Sequence, residues 1–275
     1  MSTTMPEASA VASRVPPSKA LRGRINAVGA AVFVLGLGVW ELAVRTGLLD
    51  FAYLPPPSDV VVGLGELIET GQLQGALAHT LFVALSGWAL AGLLGVAAGS
   101  VLGLVRPVWR YSMASLEALR ALPIVAFVPV AVLLYGFSAR MEIVVACYAA
   151  LWPILLNTIS GMRTEQRLIE VGAVLRLSRP AVLWKIRLPA ATAQIVVGLR
   201  LGLSISLVLT LVAEMVGNPA GLGFLLVDKA EALQPAQMFA GVFVVGVAGI
   251  VLNALLMVAA RLAFRGQLNA AGEGG

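Results

Sequence analysis

Long runs without a single charged side chain decide what this chain can be. Residues 81–105 hold 25 residues with no Asp, Glu, Lys or Arg, and residues 233–260 hold the cleanest apolar run after the charges around residue 230. A helix that crosses ~30 Å of hydrocarbon needs ~20 mostly apolar residues. Such runs recur at Ile25–Val44 (with Glu41 near its end), Ala121–Phe137 (with Pro123 and Pro129) and Ile143–Met162 (with Pro153). Leu188–Val216 is interrupted by Arg200 and Glu214, and its uncharged centre, Leu201–Ala213, is too short to span alone. Charged residues are only 12% of the 275, against roughly 25% in ordinary soluble domains. That excludes a soluble enzyme and a disordered regulator. The expectation is an all-α membrane protein with about six transmembrane helices.

The basic residues support six crossings rather than five. Cytoplasmic loops carry excess Lys and Arg. Counted from the N-terminal tail to the C-terminal tail, the seven segments outside the spans hold 4, 1, 3, 1, 6, 1 and 2 basic residues. The alternation breaks if the fifth span is dropped. It predicts both termini in the cytoplasm, and it explains the pI of 9.9 without a nucleic-acid partner. Residues 1–24 read as a disordered tail, 25–265 as the transmembrane domain, and 266–275 as a C-terminal tail. The single cysteine, Cys147, cannot form an intrachain disulfide, and the single histidine, His79, cannot build a multi-histidine metal site.

Three local patterns stand out. Leu54-Pro55-Pro56-Pro57-Ser58-Asp59-Val60 is an extended proline run leading into a helix, for which Ser58 can cap and Asp59 suits the positive end. The helix has an apolar side of Val60, Val61, Leu64, Leu67 and Ile68, expected to lie on the outer membrane surface. Gly95, Gly99 and Gly103 recur every four residues, the spacing that lets helix backbones approach closely, either inside the subunit or at a dimer seam. Gly241, Gly246 and Gly249 invite the same reading. Finally, the connection at 163–189 is the longest and most basic of the cytoplasmic ones. Leu168, Val171, Val174, Leu175 and Leu177 recur at helical spacing, Ser178-Arg179-Pro180 reads as a break and restart, and Ala181, Leu183, Trp184, Ile186 and Leu188 follow until Pro189. Two short amphipathic helices with a bend are expected, either resting on lipid or docking into a cytoplasmic protein.

That connection resembles the signature of the integral-membrane subunits of bacterial ABC importers, which runs Glu-Ala-Ala, three residues, Gly, nine residues, Ile-x-Leu-Pro. Glu170, Val171 and Gly172 stand at its start, and Ile186, Leu188 and Pro189 at its end. Arg176 occupies the place of the signature glycine, a departure that suggests a bend shifted toward Ser178-Arg179. The proline run, Leu122-Pro123 with Pro129 and Gly136, Pro153–Thr158 with Gly161, and Ala213-Glu214 followed by Gly217 and Gly221-Leu222-Gly223 resemble the nitrate, sulfonate and taurine branch in collinear order.

The resemblance implies a type I importer permease fold in the bacterial plasma membrane. It implies a second permease subunit, a pair of cytoplasmic ABC ATPases that bind the ATP and Mg, and an extracytoplasmic substrate-binding protein. It makes Glu170, Val171, Gly172, Arg176, Leu177, Ser178, Ile186, Leu188 and Pro189 the ATPase-coupling segment. Glu170 can pair with an ATPase arginine or with Arg167 on its own helix. The chain contains no Gly-x-x-x-x-Gly-Lys-Ser/Thr loop, so no catalytic residue, metal or cofactor is expected in it. Polar groups at membrane depth face protein or water, which makes Asn157, Thr158, Arg200, Ser204, Ser206, Thr210 and Glu214 the candidates for a substrate pathway. The solute would be small and anionic or polar: nitrate, a sulfonate, taurine or a pyrimidine or thiamin precursor. The competing readings are an ion-coupled carrier, for which Glu214 is the one good buried acid, and a membrane-embedded enzyme.

Overall fold

The structure, a computed structural model, describes residues 19–49, 51, 53–163, 176–216 and 218–263. The chain divides into two compact units, Met1–Ser58 and Asp59–Gly275. The first unit is built on one helix, α1 (Lys19–Arg45). Its apolar side chains between Val28 and Leu42 are exposed on all sides, as in a helix whose solvent is lipid. Within this unit Glu41 meets Ser58, which lies at the start of the next helix, α2 (Pro57–Glu69). The Glu41 carboxylate accepts the Ser58 amide at 3.0 Å and the Ser58 hydroxyl at 2.8 Å, and also pairs with Arg45. Ser58 therefore receives a cap rather than supplying one.

The second unit is organised around α3 (Gln72–Leu104), α6 (Ala139–Met162) and α8 (Leu188–Met215). The four-residue glycine spacing is an intrasubunit seam. A Cβ on Gly87, Gly95, Gly99 or Gly103 would lie 2.7, 2.9, 2.7 and 2.6 Å from Ala146, Ile154, Thr158 and Met162, all on α6. Both series rise together, so α3 and α6 run parallel. The chain between them must therefore cross back, although no straight helix there does so. It is made of α4 (Arg106–Ala121) and α5 (Ile124–Tyr135), bent by 84°. The break falls where sequence placed a single third span. Pro123 has no N–H and holds Leu122 extended, with ψ 128°. Among the described residues five helices are long and apolar enough to cross a membrane, six where the bent pair counts as one span.

The connection before α8 differs from its expected form. Arg176 is left-handed, at φ 49°, and the helix restarts at Arg179, as Ser178-Arg179-Pro180 predicts; residues 164–175 lie outside the described ones. Beyond it, α7 (Arg179–Val182), a π-turn at Leu183–Arg187 and α8 form one continuous helical segment, Pro180–Met215. Pro189 does not end the helix. The wider i→i+5 turn ahead of it, in which the Leu188 N–H reaches the Leu183 carbonyl, absorbs the missing donor and the ring. Against this antiparallel rod, Gly161 meets Ala191, and Gly198 and Gly202 meet Asn157 and Ile154.

The bundle is completed by α9 (Gly221–Glu231) and α10 (Pro235–Ala263). The helix α2 is not laid wholly on lipid. Leu67 is buried with Leu73, Leu222, Leu225 and Ala240, while Val61 and Ile68 stay exposed. A Cβ on Gly63 would meet the backbone of Ala236 at 2.8 Å. In α10, Gly241 packs closely against Leu226, whereas Gly246 faces open space.

Candidate functional site

Two ends of the second unit carry its polar groups. At the end where α3 and α6 begin and α8 finishes, a buried knot ties four elements together. Glu214, fully buried in the last turn of α8, accepts the Thr80 hydroxyl of α3 at 2.8 and 3.0 Å and the Gly223 amide at 2.8 Å. Thr80 in turn accepts the Leu222 amide at 2.8 Å. The first amides of a helix have no partner within it, so Glu214 and Thr80 together cap α9, and the carboxylate charge suits its positive end. The carboxylate needs the space that Gly221 and Gly223 leave. A Cβ on Gly221, at φ +92°, would lie 2.1 Å from the Glu214 carboxyl carbon, and one on Gly223 would lie 2.3 Å from the Leu211 carbonyl oxygen.

Beside this cap, Glu142 of α6 is also fully buried. It pairs with His79 Nε2 at 2.8 Å and accepts the side-chain amide of Asn218. Ligating atoms of His79, Glu142 and Glu214 lie within 4.8 Å of one another. The carboxylate oxygens are taken up by partners within the knot, and the two buried carboxylates hold four helices and Asn218 in one place. His79, Thr80, Glu142 and Asn218 carried no signal in the sequence beyond being polar residues near the ends of apolar runs.

The pathway candidates separate into two groups. Thr158, Ser206, Thr210 and Glu214 are enclosed inside the subunit. The Thr158 hydroxyl donates to the Ile154 carbonyl and Ser206 to the Ala84 carbonyl, both at 2.7 Å. The Thr210 hydroxyl is buried with no hydrogen-bond partner among the described residues. The half-buried Asn157 side-chain amide donates back one turn to the Pro153 carbonyl at 2.8 Å. Arg200 and Ser204 instead face outward from the subunit, one helical turn apart. Arg200 Nε donates to Asn253 Oδ1 of α10 at 2.8 Å, a partner that sequence reasoning did not single out.

At the opposite end lie the basic segments and the expected coupling residues. Glu170, Val171 and Gly172 fall outside the described residues. Arg176 and Ser178 are exposed, and Leu177, Ile186 and Leu188 are half-buried. Pro189 sits in the first turn of α8. Arg163, closing α6, stacks its guanidinium 3.9 Å above the Trp109 ring of α4, and the Tyr148 hydroxyl of α6 donates to the Leu119 carbonyl of α4 at 2.9 Å. These contacts anchor the bent pair to α6.

Comparison with known proteins agrees with this architecture. Residues 91–267 match the family described as binding-protein-dependent transport system inner membrane component. Over 247 residues the chain is 30% identical to the putative aliphatic sulfonates transport permease of Bacillus subtilis, covering 90% of this chain and 89% of that one. It is 29% identical over 226 residues to the taurine transport system permease of Escherichia coli, covering 79% and 81%. An inward-facing structure of the MetNI methionine ABC transporter superposes with a TM-score of 0.57 at 19% identity, covering 70% of this chain and 94% of that one, a likeness of fold. The parallel glycine seam, the long apolar helices and the matched sequence lead to one assignment: the chain belongs to the binding-protein-dependent inner-membrane component family, the permease subunits of ABC importers.

Proposed function

We propose that this permease moves a small anionic or polar solute of the sulfonate, taurine or nitrate class into the cytoplasm, driven by ATP hydrolysis in a separate subunit. The match over residues 91–267 carries the proposal, because it encloses both the basic segment 163–189 and all the pathway candidates. In this reading both termini are cytoplasmic, a second permease copy completes the pathway, an ATPase pair grips Glu170–Pro189 from inside, and a binding protein delivers the solute at the Glu214 end. The segment suits transmission of force. From Arg179 onward it is one helical rod that ends in the Glu214 cap, so a push at Ile186 is passed along α8 instead of being lost in a loose linker.

Reconstitution in proteoliposomes with an ABC ATPase and a binding protein tests this. ATP-dependent uptake of radiolabelled taurine, ethanesulfonate or nitrate is expected, and Glu170→Ala is expected to reduce it strongly while the permease stays folded. Uptake that persists with no ATPase bound would favour an ion-coupled carrier instead.

A further inference from the structure

We propose that Arg200, oriented by Asn253, is an oxyanion-binding group at membrane depth on the exposed face that this subunit turns away from α6. This rests on the permease reading and sharpens its substrate class. Arg200 lies twelve residues into α8, ~18 Å from its start and ~22 Å from its end. Asn253 lies ~15 Å from the end of α10. At that depth a charge is costly unless it faces a water-filled cavity or a partner. A guanidinium cannot escape the cost by losing its proton. Among the described residues no carboxylate pairs with it.

The direction in which it points follows from the glycines. Gly198 and Gly202 press on α6, where a Cβ would lie 2.8 Å from Asn157 and 2.7 Å from Ile154. A residue two positions along a helix points to the opposite side, so Arg200 faces away from α6. Ser204 shares that exposed face one turn further on.

The hydrogen bond to Asn253 then decides what the site can hold. Arginine has donors only, so the amide must turn its oxygen to Nε, as it does at 2.8 Å. The amide nitrogen is thereby directed elsewhere, and among the described residues it donates to no other group. With Nε engaged, the guanidinium keeps its two terminal nitrogens for a ligand with two oxygens side by side, the bidentate geometry that favours Arg over Lys. The array offers donors and one fixed positive charge. It fits a sulfonate, nitrate or carboxylate and rejects a cation. A phospholipid phosphate has the same chemistry, but it sits at the membrane surface, and uptake of a soluble solute distinguishes the two.

Wild type, Arg200→Gln, Arg200→Lys and Asn253→Asp are compared in proteoliposomes with ATPase and binding protein, using radiolabelled taurine, ethanesulfonate and nitrate. Arg200→Gln removes the charge. Asn253→Asp leaves Arg200 in place but supplies a built-in carboxylate that competes with the ligand. Each is expected to lower the maximal uptake rate roughly tenfold or more, the loss of one charged hydrogen-bonded contact, with assembly and melting temperature unchanged. Arg200→Lys, which keeps the charge without the fork, is expected to fall between them and wild type. Uptake by assembled Asn253→Asp or Arg200→Gln within twofold of wild type overturns the proposal while leaving the permease reading intact. Should Arg200→Gln fail to assemble, Arg200→Lys and Asn253→Asp decide by the same criterion. If wild type takes up none of the three anions with ATP present, both readings fall together.

Discussion

Thr80 and Glu214 are 134 residues apart in sequence and joined by a hydroxyl that donates to the carboxylate at 2.8 Å. The same hydroxyl oxygen accepts the Leu222 amide. One side chain therefore links the start of α3, the end of α8 and the start of α9.

Removing that link should expose its coupling. Thr80→Val keeps the shape and strands the Leu222 amide, and Glu214→Ala strands the Gly223 amide. Each is expected to cost about 1–3 kcal/mol, the penalty for an unsatisfied buried donor. The double variant should cost less than the sum, because the pair acts as a unit. Thermal melting of the four proteins in one detergent checks this, and strict additivity would show that the two residues act separately.

Gly221→Ala should be worse than either. It puts a Cβ into the space of the Glu214 carboxyl and forces a left-handed residue to carry a side chain. Backbone strain alone costs ~1–3 kcal/mol, and the overlap adds to it. A fall in folded yield on size-exclusion chromatography is expected, and Gly221→Ala combined with Glu214→Ala should recover part of it by opening the space.

The helix glycines should divide by location. Gly99→Ala places a Cβ 2.7 Å from Thr158 and must push α3 from α6, so a loss of about 1–3 kcal/mol is expected, as for other overpacked cores. Gly65→Ala, in α2 with nothing within 4 Å, should stabilise by ~0.5–1 kcal/mol because alanine loses less backbone freedom. Opposite shifts in melting temperature are the observable.

Arg176 carries a left-handed backbone that costs a non-glycine residue ~1–2 kcal/mol. Arg176→Gly should remove most of that cost, slow proteolysis of the segment and leave ATP-dependent uptake near wild type. Arg176→Val, β-branched at φ 49°, should do the reverse. If glycine accelerated cleavage instead, the arginine side chain would be holding the bend.

Much of this was legible in the sequence. Charge-free runs located the long apolar helices, and the spacing of Gly95, Gly99 and Gly103 marked a close contact, because both signals depend on composition along one helix. What failed depended on local geometry or on distant partners. Pro123 breaks the third crossing into a bent pair, while Pro189 is carried through by a π-turn, and the bare presence of a proline does not distinguish these outcomes. Glu214 read as a membrane-depth charge. Its role as a cap needed Thr80, whose contribution no periodicity reveals, although Gly221 and Gly223 downstream were the trace of the space it occupies. Asn253 was one polar residue in a long apolar helix until α8 brought Arg200 to it.

The seam between α3 and α6 has a mechanical consequence. Five successive small-residue contacts at one-turn intervals, from Gly87 on Ala146 through Ala91 beside Ala150 to Gly103 on Met162, act like the teeth of a rack. Sliding by one residue would drive larger side chains into slots with no room for them. The two helices can rotate or tilt only as a single slab. Any change of shape in this unit must then fall outside the slab, where the chain already turns sharply at Leu122-Pro123.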